Sequence, residues 1–185
     1  SLLVFDLATS DPAAYQRLAV TQPLAQSPLD GLLLNAGILG SLGPIAELDP
    51  QEWHQVLQIN VTSALLLIQA LLPSLRLSPS ARILFTSSGV GRRGRAHWGA
   101  YAVSKFAIEG LMQVLAAELA DTPIRVNAIN PGATRTRMRA QACPDEDPRQ
   151  RPAPAELMPH YLDLMGPAGA AIHGQSLDAQ AATRR

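Results

Sequence analysis

Lysine is almost absent from this chain: of its 15 basic residues only Lys105 is a lysine, and all the others are arginine. A compact ammonium thus stands at one place, where a planar guanidinium would fit poorly. Cysteine is equally scarce. The lone Cys143, beside Pro144 in a polar stretch, has no partner for an internal disulfide, which fits a reducing compartment and leads us to expect a cytoplasmic protein. Net charge is missing too, since 15 acidic residues balance the 15 basic ones, so nothing points to nucleic acid or an anionic membrane as a partner. The four histidines, His54, His97, His160 and His173, are scattered without ligand spacing, and no metal site is expected. Long apolar runs are absent as well. Ala64 to Leu72 is interrupted by Gln69 and falls far short of the roughly 20 residues of a membrane span. No signal-peptide pattern opens the chain, although Ser1 is not an initiator and we expect the native N-terminus to lie upstream.

What is present suits one globular domain. At 185 residues and 47% hydrophobic content, the chain could bury about 70% of its unfolded surface. Ser1 to Phe5 is an apolar run ending at Asp6, with the look of a buried strand. Asp11-Pro12 supplies a cap and a first-turn proline for a helix to about Val20. After Pro23, Ser27 and Pro28, the run Leu29 to Leu34 reads as a second buried strand and ends in Asn35-Ala36-Gly37. Asp49-Pro50-Gln51-Glu52 opens a helix whose apolar period continues to about Leu75, with Asn60 inside it. Arg82 to Phe85 is a third strand, delivering Ser87 and Ser88. A helix carrying Tyr101 and Lys105 runs to Leu119, and Ile124 to Ile129 is a fourth strand leading into Asn130-Pro131-Gly132. From there to Pro159 prolines are dense, so a mobile lid over about 132–159 is expected rather than packed structure. A helix over 155–165, a short strand over 175–178 and a frayed tail over about 180–185 complete the reading. Strands alternating with helices predict an α/β, doubly wound, mostly parallel sheet of the Rossmann-like kind, with its ligand site beyond the C-terminal strand ends. Asn35, Ser88 and Pro131-Gly132 all fall there.

The chemistry concentrates between Ser88 and Lys105. On one helix, the four-residue offset stacks Tyr101 and Lys105 on the same face. A phenol with an ordinary pKa of about 10 is a poor acid or base at neutral pH, and an adjacent cation is expected to lower it. Tyr101 is then a candidate general acid/base. Ser88, at the end of a strand, could hydrogen-bond a carbonyl or alcohol oxygen. Gly89-Val90-Gly91-Arg92-Arg93-Gly94 spells G-x-G-x-x-G after a strand, yet the following helix opens too late and no acid-tipped strand lies about 20 residues on, so it reads as a loop. Arginine in this loop and in the lid permits an anionic substrate.

These residues together resemble the short-chain dehydrogenase/reductase family over essentially the whole chain. The resemblance implies that Asn35-Ala36-Gly37 steadies the sheet and lines the cofactor pocket, and that Asn60 helps hold a water in a proton relay. It implies catalytic roles for Ser88, Tyr101 and Lys105, with Lys105 also on the nicotinamide ribose. Pro131, Gly132 and Thr136 would contact the nicotinamide end, and Asp6 would border the adenine. In its wording around Trp98 to Tyr101, Asn130 to Thr136 and Ser176 to Gln180, the chain is similar to a poorly characterised bacterial branch of that family.

The resemblance also implies a seven-stranded sheet whose first two strands, with the glycine-rich pyrophosphate turn, have no counterpart here. Roughly 60 residues would account for them. The chain is therefore expected to be part of a longer protein, inactive by itself. The activity implied for the whole is hydride transfer between NAD(P)(H), leaning to NADP(H), and a small carbonyl or secondary alcohol. A homodimer or homotetramer through the helices 50–75 and 99–119 is implied as well. The alternatives are a non-catalytic relative serving as a binding or oligomerisation module, and an epimerase or dehydratase using the same Tyr-x-x-x-Lys, against which the short region after Pro131 argues.

Overall fold

A computed structural model describes residues 2–21 and 27–180. Its centre is a parallel sheet of four strands: β1 (Gly31–Leu34), β2 (Arg82–Thr86), β3 (Arg125–Asn130) and β4 (Ser176–Asp178), lying side by side in chain order. The register pairs Leu34 with Phe85, Phe85 with Ala128, and Ala128 with Ser176. All four strand ends that carry polar turns are thereby brought to one edge.

The helices are α1 (Pro12–Ala19), α2 (Pro50–Leu57), α3 (Ser63–Arg76), α4 (Gly99–Glu118), α5 (Arg137–Ala142) and α6 (Pro154–Met165). The capping signals act as read. Asp11 accepts from the Ala13 N–H at 2.9 Å and Asp49 from the Gln51 N–H at 3.0 Å, each satisfying an orphan donor of the first turn. Alternation along β2 and β3 then divides the core in two. Ile83, Phe85, Val126 and Ala128 face α3 and α4, where Ile68, Leu75, Ile108, Met112 and Leu115 close over them. Leu84 and Ile129 face the other way, against Leu157, Tyr161 and Leu164 of α6. Each of the valine, leucine, isoleucine, phenylalanine and methionine side chains among them contributes about 1.5–3 kcal/mol by leaving water.

Four expectations need correction. The apolar run at the N-terminus forms no strand over the described residues 2–6; Leu2 and Val4 stand 90% and 96% exposed. An extended segment needs a neighbour for its backbone N–H and C=O groups, and none is present among the described residues. The chain is instead held just beyond, where the Tyr15 hydroxyl donates to the Leu7 and Thr9 carbonyls and Gln58 Nε2 donates to the Thr9 carbonyl at 2.7 Å.

The helix expected over 50–75 is interrupted by a π-helical turn, Gln58–Thr62, with Asn60 at its middle and buried. Taken as one stretch, Pro50–Arg76 is 27 residues and apolar enough by composition to cross a membrane, longer than the uninterrupted run suggested. Its Val56, Ile68, Leu71 and Leu75 are buried in the fold.

The lid carries packed, regular structure. It holds α5, the short 3-10 turn Pro148–Gln150 and the first half of α6, because Pro148 and Pro154 occupy first-turn positions, where a missing N–H costs nothing. Glu146 knits it together, accepting from Arg139 Nη2 and Arg151 Nε, both at 2.8 Å. Arg139, then Arg151, holds the Glu146 carboxyl well below the usual carboxylate range.

The tail is not frayed at Gln180, whose Nε2 donates to the Pro131 carbonyl at 2.7 Å and to that of Ala133. The rest of the expected tail, 181–185, and Pro23 of the expected connection lie outside the described residues.

Candidate active site

A cleft of about 840 Å³ opens beyond the C-terminal ends of β1, β2 and β3. Strand ends and helix stripes converge there. The turn after β1 brings Asn35, Ala36 and Gly37, the turn after β2 brings Ser88, α4 brings Tyr101 and Lys105, and the segment after β3 brings Pro131, Gly132 and Thr136. Asp6 is not among the lining residues; its carboxylate turns back on the Ala8 N–H at 2.9 Å.

The α-helical repeat places Tyr101 and Lys105 one above the other on α4, both buried. Lys105 Nζ lies 5.6 Å from the Tyr101 ring centroid. It donates to the Thr86 carbonyl at 2.8 Å, so the last carbonyl of β2 fixes the ammonium at the floor of the cleft. The hydroxyl of Ser88 faces the Tyr101 phenol in the cleft and favours the phenolate. Burial opposes that and prevails: the phenol is raised above its ordinary value, and burial lowers the Lys105 ammonium to about 8. The expectation that the lysine lowers the tyrosine is therefore reversed in this structure. Desolvation disfavours both charged forms.

Asn60 stands behind the cleft. Its Oδ1 accepts from the Ile38 N–H at 2.8 Å, and its Nδ2 donates to the Ile38 carbonyl and to Ser104 Oγ, both at 2.9 Å. Ser104 in turn donates to the Tyr101 carbonyl at 2.8 Å. The side chain is thus fully engaged in tying the Asn35-Ala36-Gly37 turn to α4. Gly37 suits this closeness, since a Cβ there would sit 3.2 Å from Asn60 Oδ1, which would have to give by a few tenths of an ångström. Gly132 is required by its backbone, which has a φ of 73°.

Other groups at the cleft escaped the sequence reading. Thr86 donates to Asn35 Oδ1 at 2.9 Å, joining the ends of β1 and β2. Tyr161 reaches in from α6; burial raises its phenol, and a hydrogen bond with Thr86 works against that. Trp98 packs at 5.9 Å from the Tyr101 ring, with the Arg95 guanidinium 5.3 Å above its own ring. The lone tryptophan-glycine pair at the start of α4 was the available signal for Trp98; Tyr161 offered none, because one helical tyrosine looks like any other. Among the described residues no group of His, Cys, Asp and Glu could hold a metal ion.

A parallel α/β sheet with a buried tyrosine and lysine stacked beside a serine at its C-terminal edge defines an oxidoreductase architecture of the Rossmann-like class. The chain belongs to the short chain dehydrogenase family, which it matches over residues 2–147. It is 51% identical over 177 residues to the uncharacterized oxidoreductase YciK of Escherichia coli K12, covering 96% of this chain and 70% of that protein. A short chain dehydrogenase from Escherichia coli CFT073, solved in complex with NADPH, superposes with a TM-score of 0.93 at 51% identity, over 96% of this chain and 74% of the other. A 3-alpha-(or 20-beta)-hydroxysteroid dehydrogenase of Mycobacterium bovis is 35% identical over 140 residues, 70% of this chain and 54% of that one. The chain thus resembles the YciK branch, and it spans between about half and three quarters of these relatives.

Proposed function

We propose that this chain carries the catalytic half of an NAD(P)(H)-dependent oxidoreductase that interconverts a carbonyl and a secondary alcohol. The observation that carries the reading is the convergence of Ser88, Tyr101 and Lys105 on one cleft. Ser88 holds the reacting oxygen through its hydroxyl, and Tyr101 gives that oxygen a proton in reduction and takes it back in oxidation. The raised phenol suits the donating direction. A nicotinamide cofactor, when bound, supplies or accepts the hydride.

The residues present fit the nicotinamide end of such a cofactor. The cleft offers the Lys105 ammonium as a donor for ribose hydroxyls, and Asn35, Ala36, Gly37, Pro131, Gly132 and Thr136 as its wall. Bringing ribose oxygens to Lys105 also gives the ammonium acceptors besides the Thr86 carbonyl, which favours its charged form and with it the phenolate. Asn60 positions the Asn35 turn, and any part it has in proton exchange falls to its backbone in the π turn. Among the described residues no glycine-rich turn at a helix N-terminus offers a seat for the pyrophosphate, so we expect residues 1–185 alone to be inactive. The NADPH complex of the similar Escherichia coli protein supports a lean to NADP(H).

The substrate is a small carbonyl compound or alcohol. Exposed Leu65 on α3 and Val103, Phe106 and Val114 on α4 support a homodimer or homotetramer through these helices, and the unpaired Cys143 fits a cytoplasmic setting. The test is calorimetric titration of the native protein with NADPH and NADH, followed by cofactor oxidation against a panel of ketones, aldehydes and α-diketones. Tighter NADPH binding and turnover of any carbonyl support the reading; no binding of either cofactor overturns it.

A further inference from the structure

Glu109 lies one helical turn beyond Lys105, on the same stripe of α4 as Tyr101 and Lys105. Its carboxylate is 8% exposed. A buried carboxylate is costly unless hydrogen bonds satisfy it, and this one is surrounded by donors. Ser87 Oγ donates to Oε1, as do Ser176 Oγ at 2.7 Å and Arg92 Nε at 3.3 Å. Arg92 continues the chain of contacts: its Nη1 donates to Asp178 Oδ1 at 2.9 Å and its Nη2 to the Leu177 carbonyl at 3.1 Å. Asp178 Oδ1 also accepts from Asn130 Nδ2 at 2.7 Å, and Asn130 Oδ1 accepts from the Gly132 N–H at 3.0 Å.

The network joins the two loops that border the cleft to the helix that carries the acid/base. One end grips Ser87, the residue before Ser88. The other end holds the Asn130-Pro131-Gly132 turn. None of its ionised groups lines the cleft, so the reaction described above makes no direct use of them. We propose that Glu109 and Arg92 are positioning residues, which hold Ser88 in register with Tyr101 and hold the turn after β3 against the same frame. The inference rests on the oxidoreductase reading for its chemical consequence and on the hydrogen-bond network alone for its structural one. Arginine is needed because three of its N–H groups are used in a planar fork, which lysine cannot reproduce. Glutamate is needed because its charge answers the Arg92 guanidinium and strengthens all three bonds, which a neutral amide oxygen does not.

The test uses Glu109→Gln, Arg92→Lys and the double variant in the native protein. Amide hydrogen exchange is read by mass spectrometry alongside thermal unfolding and, with NADPH and an aromatic α-diketone, kcat and KM. We expect Glu109→Gln to speed exchange at least tenfold in peptides covering 87–92 and 130–133. Exchange in the central turns of α4 should be unchanged. We further expect kcat to fall at least tenfold while KM for NADPH moves less than threefold. Arg92→Lys should do the same to a smaller degree, and the double variant should be no worse than Glu109→Gln, as for two members of one unit. Unchanged exchange in both loops overturns the proposal, whatever the enzyme does. So does faster exchange spread evenly over the whole protein, which marks a merely structural role. Altered loop exchange with no turnover by the wild-type protein leaves the positioning intact and counts against the oxidoreductase reading instead.

Discussion

The Lys105 ammonium stands 5.6 Å from the centroid of the Tyr101 ring and donates to the Thr86 carbonyl at 2.8 Å. That carbonyl fixes the ammonium at the floor of the cleft, beside the tyrosine ring. Both groups are buried, and burial drives their pKa values apart, the phenol upward and the ammonium down to about 8. The pair is held in its neutral forms more firmly than either group would be in water.

Replacing Tyr101 by Phe removes the hydroxyl that meets Ser88 and leaves the ring in place. Turnover should fall by roughly 10²–10⁴, the usual weight of a positioned acid/base, while the affinity for NADPH stays within twofold. Cofactor fluorescence and an NADPH oxidation assay separate the two quantities, and persisting turnover would remove Tyr101 from the mechanism.

The lowered Lys105 value implies a pH dependence of stability. Between about 8 and the ordinary lysine value the unfolded chain binds more protons than the folded one, so stability rises with pH across that window. The full rise is on the order of 3 kcal/mol. Lys105→Met should abolish it. Above about 10 the raised Tyr101 phenol acts in the opposite sense, because the folded state then keeps the proton longer. Urea unfolding at a series of pH values from 7 upward checks both limbs; a flat wild-type profile counts against the burial argument.

Gly91 presses its loop against α4, where a Cβ would stand 2.8 Å from the carbonyl carbon and oxygen of Lys105 and 2.9 Å from its Cβ. Two of those atoms are backbone and cannot turn aside. Gly91→Ala should therefore cost about 1–3 kcal/mol and lift Ser88 away from Tyr101, lowering kcat with it. Chemical denaturation gives the first number and steady-state kinetics the second. An alanine variant as stable as the wild type would show that the loop has room to move.

Asn60→Ala leaves the Ile38 N–H and C=O without their partners, at a cost of about 1–3 kcal/mol. Asn60→Asp is expected to fare no better, because a carboxylate keeps the acceptor for the Ile38 N–H and loses both donors. Comparison of the two urea midpoints decides between a hydrogen-bonding role and mere space filling, in which case Asp would be the milder change.

What could be read from the sequence was what local geometry decides. Asp11 and Asp49 cap their helices through N–H groups two residues away, and Tyr101 and Lys105 share a face through a fixed repeat, so none of these needed the rest of the fold. The π turn at Gln58–Thr62 was hidden, because the same residues suit an α-helix and only the pull of Ile38 and Ser104 on Asn60 chooses otherwise. The lid misled for a definite reason: of the prolines counted as breakers, Pro148 opens a 3-10 turn, Pro154 opens α6 and Pro159 is carried inside it. The acid/base pair was found but its electrostatics were reversed, since spacing reports proximity and says nothing of how much water two groups lose. Glu109 escaped notice because an acid in a long helix ordinarily faces solvent, and its three hydrogen-bonding partners, Ser87, Arg92 and Ser176, come from segments up to 67 residues away.

The π turn also gives the protein a dependence on count as well as on chemistry. Such a turn holds one residue more than an α-helix would need for the same advance, and each residue turns the helix by about 100°. The apolar stripes of α2 and α3 are therefore out of phase with each other by that step, and the fold is built around the offset. Deleting Gln58 or Thr62 would restore a regular helix, swing Asn60 away from Ile38 and leave the apolar composition of the segment untouched. Chain length is thus a site determinant in its own right, inherited as an extra codon and invisible to any substitution scan.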